Sequence, residues 1–172
     1  RRPPRTAENS RARPRRFSPR PPKTASEWSR RFANWRRAAG RELRDMTGPL
    51  IWVIEDNDQN FELVDFLLGE SGYRVQRARD ADELTPLLDG EPPALVLLDM
   101  NLPSGSGLEL LARLRADDRS RRSLVIALTA HAMRGDRERF LASGCDGYIS
   151  KPIESRHFLA AVAGFLQGGG GR

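Results

Sequence analysis

The sequence predicts a doubly wound α/β domain over residues 49–167, with five parallel strands in the order 2-1-3-4-5 and helices on both faces. Three observations predict it. Short apolar runs alternate five times with segments of helical periodicity, the pattern of repeated βα units. Residues 50–54, 94–98 and 124–128 are continuously apolar, as strands covered on both faces of a parallel sheet are. Charged residues stand at the ends of these runs: Glu55 and Asp56 after LIWVI, Asp99 after ALVLL, and Lys151 after DGYIS. In an open parallel sheet the carboxyl ends of the strands line one crevice, where ligands bind. The resulting flavodoxin-like (βα)5 topology brings three acids and one lysine to a single edge.

Each element has its own signal. Residues 50–54 form the first strand. Residues 57–70 carry Phe61, Val64, Leu67 and Leu68 on a helical stripe, and Ser71-Gly72 stops them. Capping of this helix is the plain structural role for Glu55 and Asp56. Residues 73–77 alternate, as a strand with one wetter face does. Residues 81–88 form a short helix ended by Gly90 and Pro92-Pro93. Strand 94–98 precedes helix 107–115, whose Leu108, Leu111 and Leu114 share a side, and strand 124–128 precedes the charged helix 132–142. Residues 147–150 are a last short strand. Residues 155–166 are a last helix, with Phe158, Val162 and Phe165 in register, and 168–172 are a flexible Gly-rich tail.

Charge is partitioned unevenly. Residues 1–49 hold 15 Lys and Arg against 4 Asp and Glu, and residues 50–172 hold 14 against 19, within a net of +6 for the 172-residue chain. The folded part is therefore mildly acidic. Residues 1–23 are Arg/Pro/Ser-rich with little to bury, a disordered composition. Residues 24–48 place Trp28, Phe32, Trp35, Ala39, Leu43 and Met46 at helical spacing, with Arg30, Arg31, Arg37, Arg41 and Arg44 largely off that stripe. This basic amphipathic segment or linker suits contact between residues 1–46 and nucleic acid or an anionic membrane surface, or docking on its own domain. Another reading of residues 1–45 is text translated upstream of a start at Met46. The single cysteine, Cys145, excludes an internal disulfide and fits a reducing, cytoplasmic setting; it reads as a small packing residue. No run of about 18 apolar residues exists, so no transmembrane helix is expected.

Three carboxylates at one sheet edge repel one another. A hard divalent ion such as Mg2+, held by a few carboxylates and several waters, relieves that repulsion. Other chemistries lack their signatures: no G-x-x-x-x-G-K-[ST] loop, no G-x-G-x-x-G after a strand, no paired Cys/His metal spacing and no serine nucleophile elbow.

The motifs IEDN at 54–57, LLDMNLPSGSGLEL at 97–110, ALTAHAM at 127–133 and GYISKPI at 147–153 resemble the receiver domain of two-component response regulators. The likeness covers about residues 50–167. Within the family it is strongest to single-domain cell-division regulators and to receiver modules of hybrid histidine kinases. Asp99 precedes Thr129 by 30 residues and Thr129 precedes Lys151 by 22, which matches the family's spacing.

The resemblance implies a phosphoacceptor without a separate catalytic domain. It assigns phosphorylation to Asp99 and Mg2+ ligation to Asp56, Asp99, the backbone carbonyl of Asn101 and, more distantly, Glu55, where the family more often has Asp. It assigns phosphoryl contacts to Lys151 and Thr129, a switch aromatic to Tyr148, and a cis bond to Pro152. His131 lies where the family varies, and His157 reads as a surface helix residue. The implied phosphoryl donor is a histidine kinase or a histidine phosphotransfer protein. The chain ends soon after the last helix, so no fused DNA-binding domain is expected on that side, and output is expected through protein contact or onward relay. Readout is expected at the face made by 132–143, 147–149 and 154–166. Two rival readings remain: a scaffold whose basic arm does the binding, and a piece of a hybrid kinase.

Overall fold

A computed structural model describes residues 48–103, 105–130 and 136–169. The basic segment, its amphipathic stretch up to residue 47, Ser104, His131, the first residues 132–135 of the predicted fourth helix and of the expected readout face, and residues 170–172 of the tail lie outside the described residues.

Five parallel strands form one sheet in the order β2-β1-β3-β4-β5. They are β1 Leu50–Ile54, β2 Arg74–Ala78, β3 Leu95–Asp99, β4 Leu124–Thr129 and β5 Gly147–Ser150. The helices are α1 Asp58–Glu70, α2 Ala81–Leu88, α3 Gly107–Ala116, α4 Asp136–Ala142 and α5 Ser155–Gly164. Every residue of β1 and β3 is buried, as the apolar runs 50–54 and 95–98 require, and Asp99 is the buried charge that ends β3.

Alternation along the strands divides the core into two layers. Trp52, Ile54, Val96, Leu98, Val125 and Ala127 face Leu84, Leu110, Leu111, Leu114 and Phe140 of α2, α3 and α4. Ile51, Val53, Leu95, Leu97, Ile126 and Leu128 face Val64, Leu67, Leu68, Phe158 and Val162 of α1 and α5. Trp52 is fully buried, and its indole N–H donates to Gln76 Oε1 at 3.0 Å. That bond removes the cost of an unpaired polar group in the first layer. Cys145 packs as a small residue in the same layer, and burial pushes its thiol up to about 11.

Several boundaries differ from the sequence expectation. Strand β2 runs over 74–78 instead of 73–77, and Asp99 itself belongs to β3, opposite Leu128. Helix α1 is capped by Asn57, whose side chain accepts from the Asn60 N–H. Asp56 does not take that role and is left for the crevice. Helix α5 ends at Gly164, and a π-helical turn follows over Phe165–Gly169 with Gly168 at φ 86°.

Loops at the far edge of the sheet are tied by Arg115 of α3. Its guanidinium donates to the carbonyls of Arg121, Ser123 and Gly144 and to the Asp146 carboxylate. Asp146 in turn accepts from the Val125 N–H at the start of β4.

Gly107 opens α3 against the end of β3. A Cβ there would stand 2.8 Å from both the Asp99 carbonyl oxygen and the Met100 Cα, closer than backbone atoms tolerate. Gly107→Ala is expected to lower the unfolding free energy by about 1–3 kcal/mol, the usual cost of overpacking. Urea melts should show a lower midpoint at unchanged slope; a wild-type midpoint would mean that α3 can back away freely.

Candidate functional site

Four of the charged residues singled out in the sequence meet at the carboxyl edge of the sheet. Glu55 and Asp56 follow β1, Asp99 ends β3, and Lys151 follows β5. Carboxylate oxygens of Glu55, Asp56 and Asp99 lie within 4.8 Å of one another. The Lys151 ammonium donates to Glu55 Oε2 and to Asp99 Oδ2, each at 2.7 Å. The side chains of Glu55 and Asp99 are only 1% and 5% exposed, so this ammonium is their main charge compensation.

The second oxygen of each buried carboxylate is also engaged. Glu55 Oε1 accepts from the Asn60 side-chain amide at 3.0 Å and from the Asn57 N–H at 3.3 Å. Asp99 Oδ1 accepts from the Asn101 N–H at 2.9 Å. Asp56 differs. It is half-buried, and its carboxylate takes no hydrogen bond or ion pair among the described residues. A hard oxygen donor facing two more carboxylates, with no partner of its own, fits a divalent cation such as Mg2+. Glu55, held on both oxygens, fits a more distant role.

Thr129, Asn101 and Pro152 stand at or just after the ends of β4, β3 and β5, and Tyr148 stands inside β5. Thr129 is buried at the end of β4, and its carbonyl accepts the Lys151 N–H at 2.7 Å. The Lys151–Pro152 bond is cis. Asn101 is exposed on the loop after β3. Tyr148, on β5, is half-buried and packs on the core layer shared by α2, α3 and α4. His157 is exposed on α5 beside Glu154. Two supporting residues escaped the sequence reading. One is Asn60, in the first turn of α1. The other is Arg77 of β2, which reaches under the β1–α1 loop. Polar residues on a helix's first turn and on an edge strand default to a surface reading, so neither residue gave a signal in the sequence.

Comparison with known proteins agrees with this geometry. The family model described as the response regulator receiver domain matches residues 51–163. The polar-differentiation response regulator DivK of Brucella anthropi is 41% identical over 116 residues, covering 67% of this chain and 94% of that protein. The receiver domain of the sensor histidine kinase PA1611 from Pseudomonas aeruginosa, with a magnesium ion coordinated in its active-site cleft, superposes with a TM-score of 0.63 at 30% identity, covering 70% of this chain and 99% of that one. The chemotaxis response regulator CheY4 of Vibrio cholerae shares the fold with a TM-score of 0.64 at 20% identity, covering 68% and 98% of the two chains.

The ammonium's place in the pocket has a measurable consequence. Burial works against the Lys151 charge, but its hydrogen bonds to Asp99 and Glu55 outweigh burial and hold its pKa above the ordinary 10.5. A group raised this way contributes stability in full below the unfolded value, and the contribution is lost as pH rises through the folded value. Lys151→Met is expected to cost about 3–5 kcal/mol at neutral pH in EDTA, the range for removing one partner of a buried ion pair. The gap between wild type and variant should persist up to the ordinary 10.5 and close at higher pH. Urea melts across pH check both points; equal stability at neutral pH would show that the carboxylates do not depend on this ammonium.

Proposed function

The chain belongs to the response regulator receiver domain family, and on that premise we propose that it is a Mg2+-dependent phosphoacceptor that takes a phosphoryl group on Asp99. The convergence of Glu55, Asp56, Asp99 and Lys151 carries this reading. A histidine kinase or histidine phosphotransfer protein supplies phosphohistidine. A carboxylate oxygen of Asp99 attacks phosphorus in line; the new P–O bond forms as the P–N bond breaks, and the imidazole leaves with the electron pair. An aspartyl phosphate is a known type of covalent intermediate.

The protein's part is positioning and charge neutralisation. Asp56, Asp99 and the Asn101 carbonyl would hold Mg2+, with Glu55 acting through water, and the ion when bound neutralises charge on the phosphoryl oxygens. The Lys151 ammonium, already on Asp99 Oδ2, turns to a phosphoryl oxygen of the product. The Thr129 hydroxyl donates to another. The product then hydrolyses slowly.

The same reading extends to signalling. Movement of Thr129 toward the phosphoryl group vacates space that admits Tyr148, and a protein partner reads the segments 132–143, 147–149 and 154–166, of which 132–135 lie outside the described residues. A ligand shifts such an equilibrium only by its differential affinity for two states, which here is the Thr129 contact made in one state alone. Identity to the response regulator DivK over 94% of that protein's length supports the receiver reading, and the proposed output is contact with a protein partner. No helix among the described residues is long and apolar enough to cross a membrane. The proposed setting is the cytoplasm, where phosphohistidine donors of this class act.

Incubation with acetyl phosphate and Mg2+ should add one phosphoryl mass to wild type, read by intact mass spectrometry, and none to Asp99→Asn. Unchanged labelling of the variant would remove Asp99 from its role. Thr129→Ala should still accept phosphate but lose the phosphorylation-dependent chemical-shift changes around Tyr148. A wild-type response there would mean the signal leaves the pocket by another route.

A further inference from the structure

Arg77 lies on β2, opposite Val53 of β1. With Tyr73 and Val75 it occupies the side of the strand that faces α1. Its side chain is only 14% exposed, and every nitrogen of the guanidinium has a partner. Nε donates to the Glu55 carbonyl at 3.0 Å, one terminal nitrogen to the Asp56 carbonyl at 2.9 Å, and the other to Asp58 Oδ1 at 2.5 Å. The guanidinium carbon stacks over the Phe61 ring, 4.4 Å from its centroid. Glu55 and Asp56 are consecutive, and both carboxylates belong to the acidic pocket. One planar fork therefore holds the peptide units on which both acids are mounted. Asp58 balances its charge, and Phe61 fixes its plane.

We infer that Arg77 is a positioning residue for the metal pocket: it locks the β1–α1 loop so that the Asp56 carboxylate faces Asp99, and thereby sets the affinity for Mg2+. The inference rests on the proposed Mg2+ site. It follows from three features. The loop carries the one pocket carboxylate without a partner of its own, so Asp56 has no side-chain bond to hold it and depends on its backbone. From β2 the Glu55 N–H is held by the Ala78 carbonyl at 3.1 Å, and the two carbonyls that follow, those of Glu55 and Asp56, are held by Arg77. The restraint is rigid, because a guanidinium presents its donors in a fixed plane, whereas lysine offers a point charge on a flexible stem. Outer partners that orient ligands typically alter metal affinity by about 10–100-fold when removed.

The opposite expectation follows if Arg77 acts only as a charge. A nearby cation repels Mg2+, so its removal would tighten binding, and lysine would preserve the wild-type value. The two accounts separate in one experiment. Mg2+ affinity is measured by calorimetric titration of the full chain with magnesium chloride, for wild type, Asp56→Asn, Arg77→Gln, Arg77→Lys and Asp58→Asn. Positioning predicts that both Arg77 variants weaken Mg2+ binding by at least about tenfold. Asp58→Asn, which loses an exposed ion pair and keeps both carbonyl bonds, should stay within about twofold. Tighter binding by Arg77→Gln, wild-type binding by Arg77→Lys, or an Asp58→Asn loss as large as that of the Arg77 variants each overturns the inference.

A metal-free arm keeps the two readings apart. Amide hydrogen exchange in EDTA, followed in the peptide spanning β1 and the start of α1, should be faster in Arg77→Gln and in Arg77→Lys than in wild type. If wild type shows no Asp56-dependent Mg2+ binding, the metal reading falls, and unchanged exchange in the Arg77 variants overturns the loop lock independently. Arg77→Lys keeps the charge and the apolar stem, so it remains informative where Arg77→Gln folds poorly.

Discussion

A single ammonium stands between two buried carboxylates that come from different strands, and the site depends on that contact. Glu55 and Asp99 are nearly sealed from water, and both meet Lys151 Nζ at 2.7 Å. Burying like charges this close is costly unless an opposite charge and further hydrogen bonds satisfy them. Here the Asn60 amide and the backbone N–H groups of Asn57 and Asn101 complete the set. Lys151 is 96 residues from Glu55 and 52 from Asp99, and β4 lies between β5 and β3 in the sheet. The contact therefore exists only when β1, β3, β4 and β5 are all in register. Pocket and sheet stand or fall together.

What could be read in the chain follows from burial. β1, β3 and β4 were legible because a strand covered on both faces has to be apolar throughout. The pocket acids and Lys151 were legible because charged residues directly after such strands can only stand at one edge. β2 shifted by one residue because it is an edge strand: Arg74 and Arg77 blur its alternation, and Tyr73 packs on the core just outside it. The end of α5 was overrun because Phe165 and Leu166 keep the helical stripe while the backbone has already widened. The capping role went to Asn57 because the acids before it are drawn to the crevice. Arg77 and Asn60 were illegible for a different reason. Their partners are backbone carbonyls and a carboxylate distant or off-stripe in the sequence, and no periodicity records such contacts.

Arginine serves as a backbone fastener at both ends of this sheet. At the carboxyl edge Arg77 holds the carbonyls of Glu55 and Asp56. At the amino edge Arg115 holds those of Arg121, Ser123 and Gly144. In each case one carboxylate completes the fork, Asp58 in the first and Asp146 in the second. A guanidinium suits this work because its donors are many, planar and always charged. The three loops so held do not need repetitive structure to be rigid, which matters most where a loop carries the pocket carboxylates.

The burial of Cys145 gives the molecule a property unrelated to phosphate. A thiol that is 6% exposed and pushed up to about 11 is almost entirely un-ionised at neutral pH, and only the thiolate reacts with oxidants or alkylating reagents. Burial and the un-ionised state thus slow oxidation and disulfide-linked pairing through this residue in the folded protein. Reaction requires the layer around Phe140 and Ala127 to open, so the rate at which a thiol reagent labels the chain is a clock for that opening, built in at a single atom without any engineered probe.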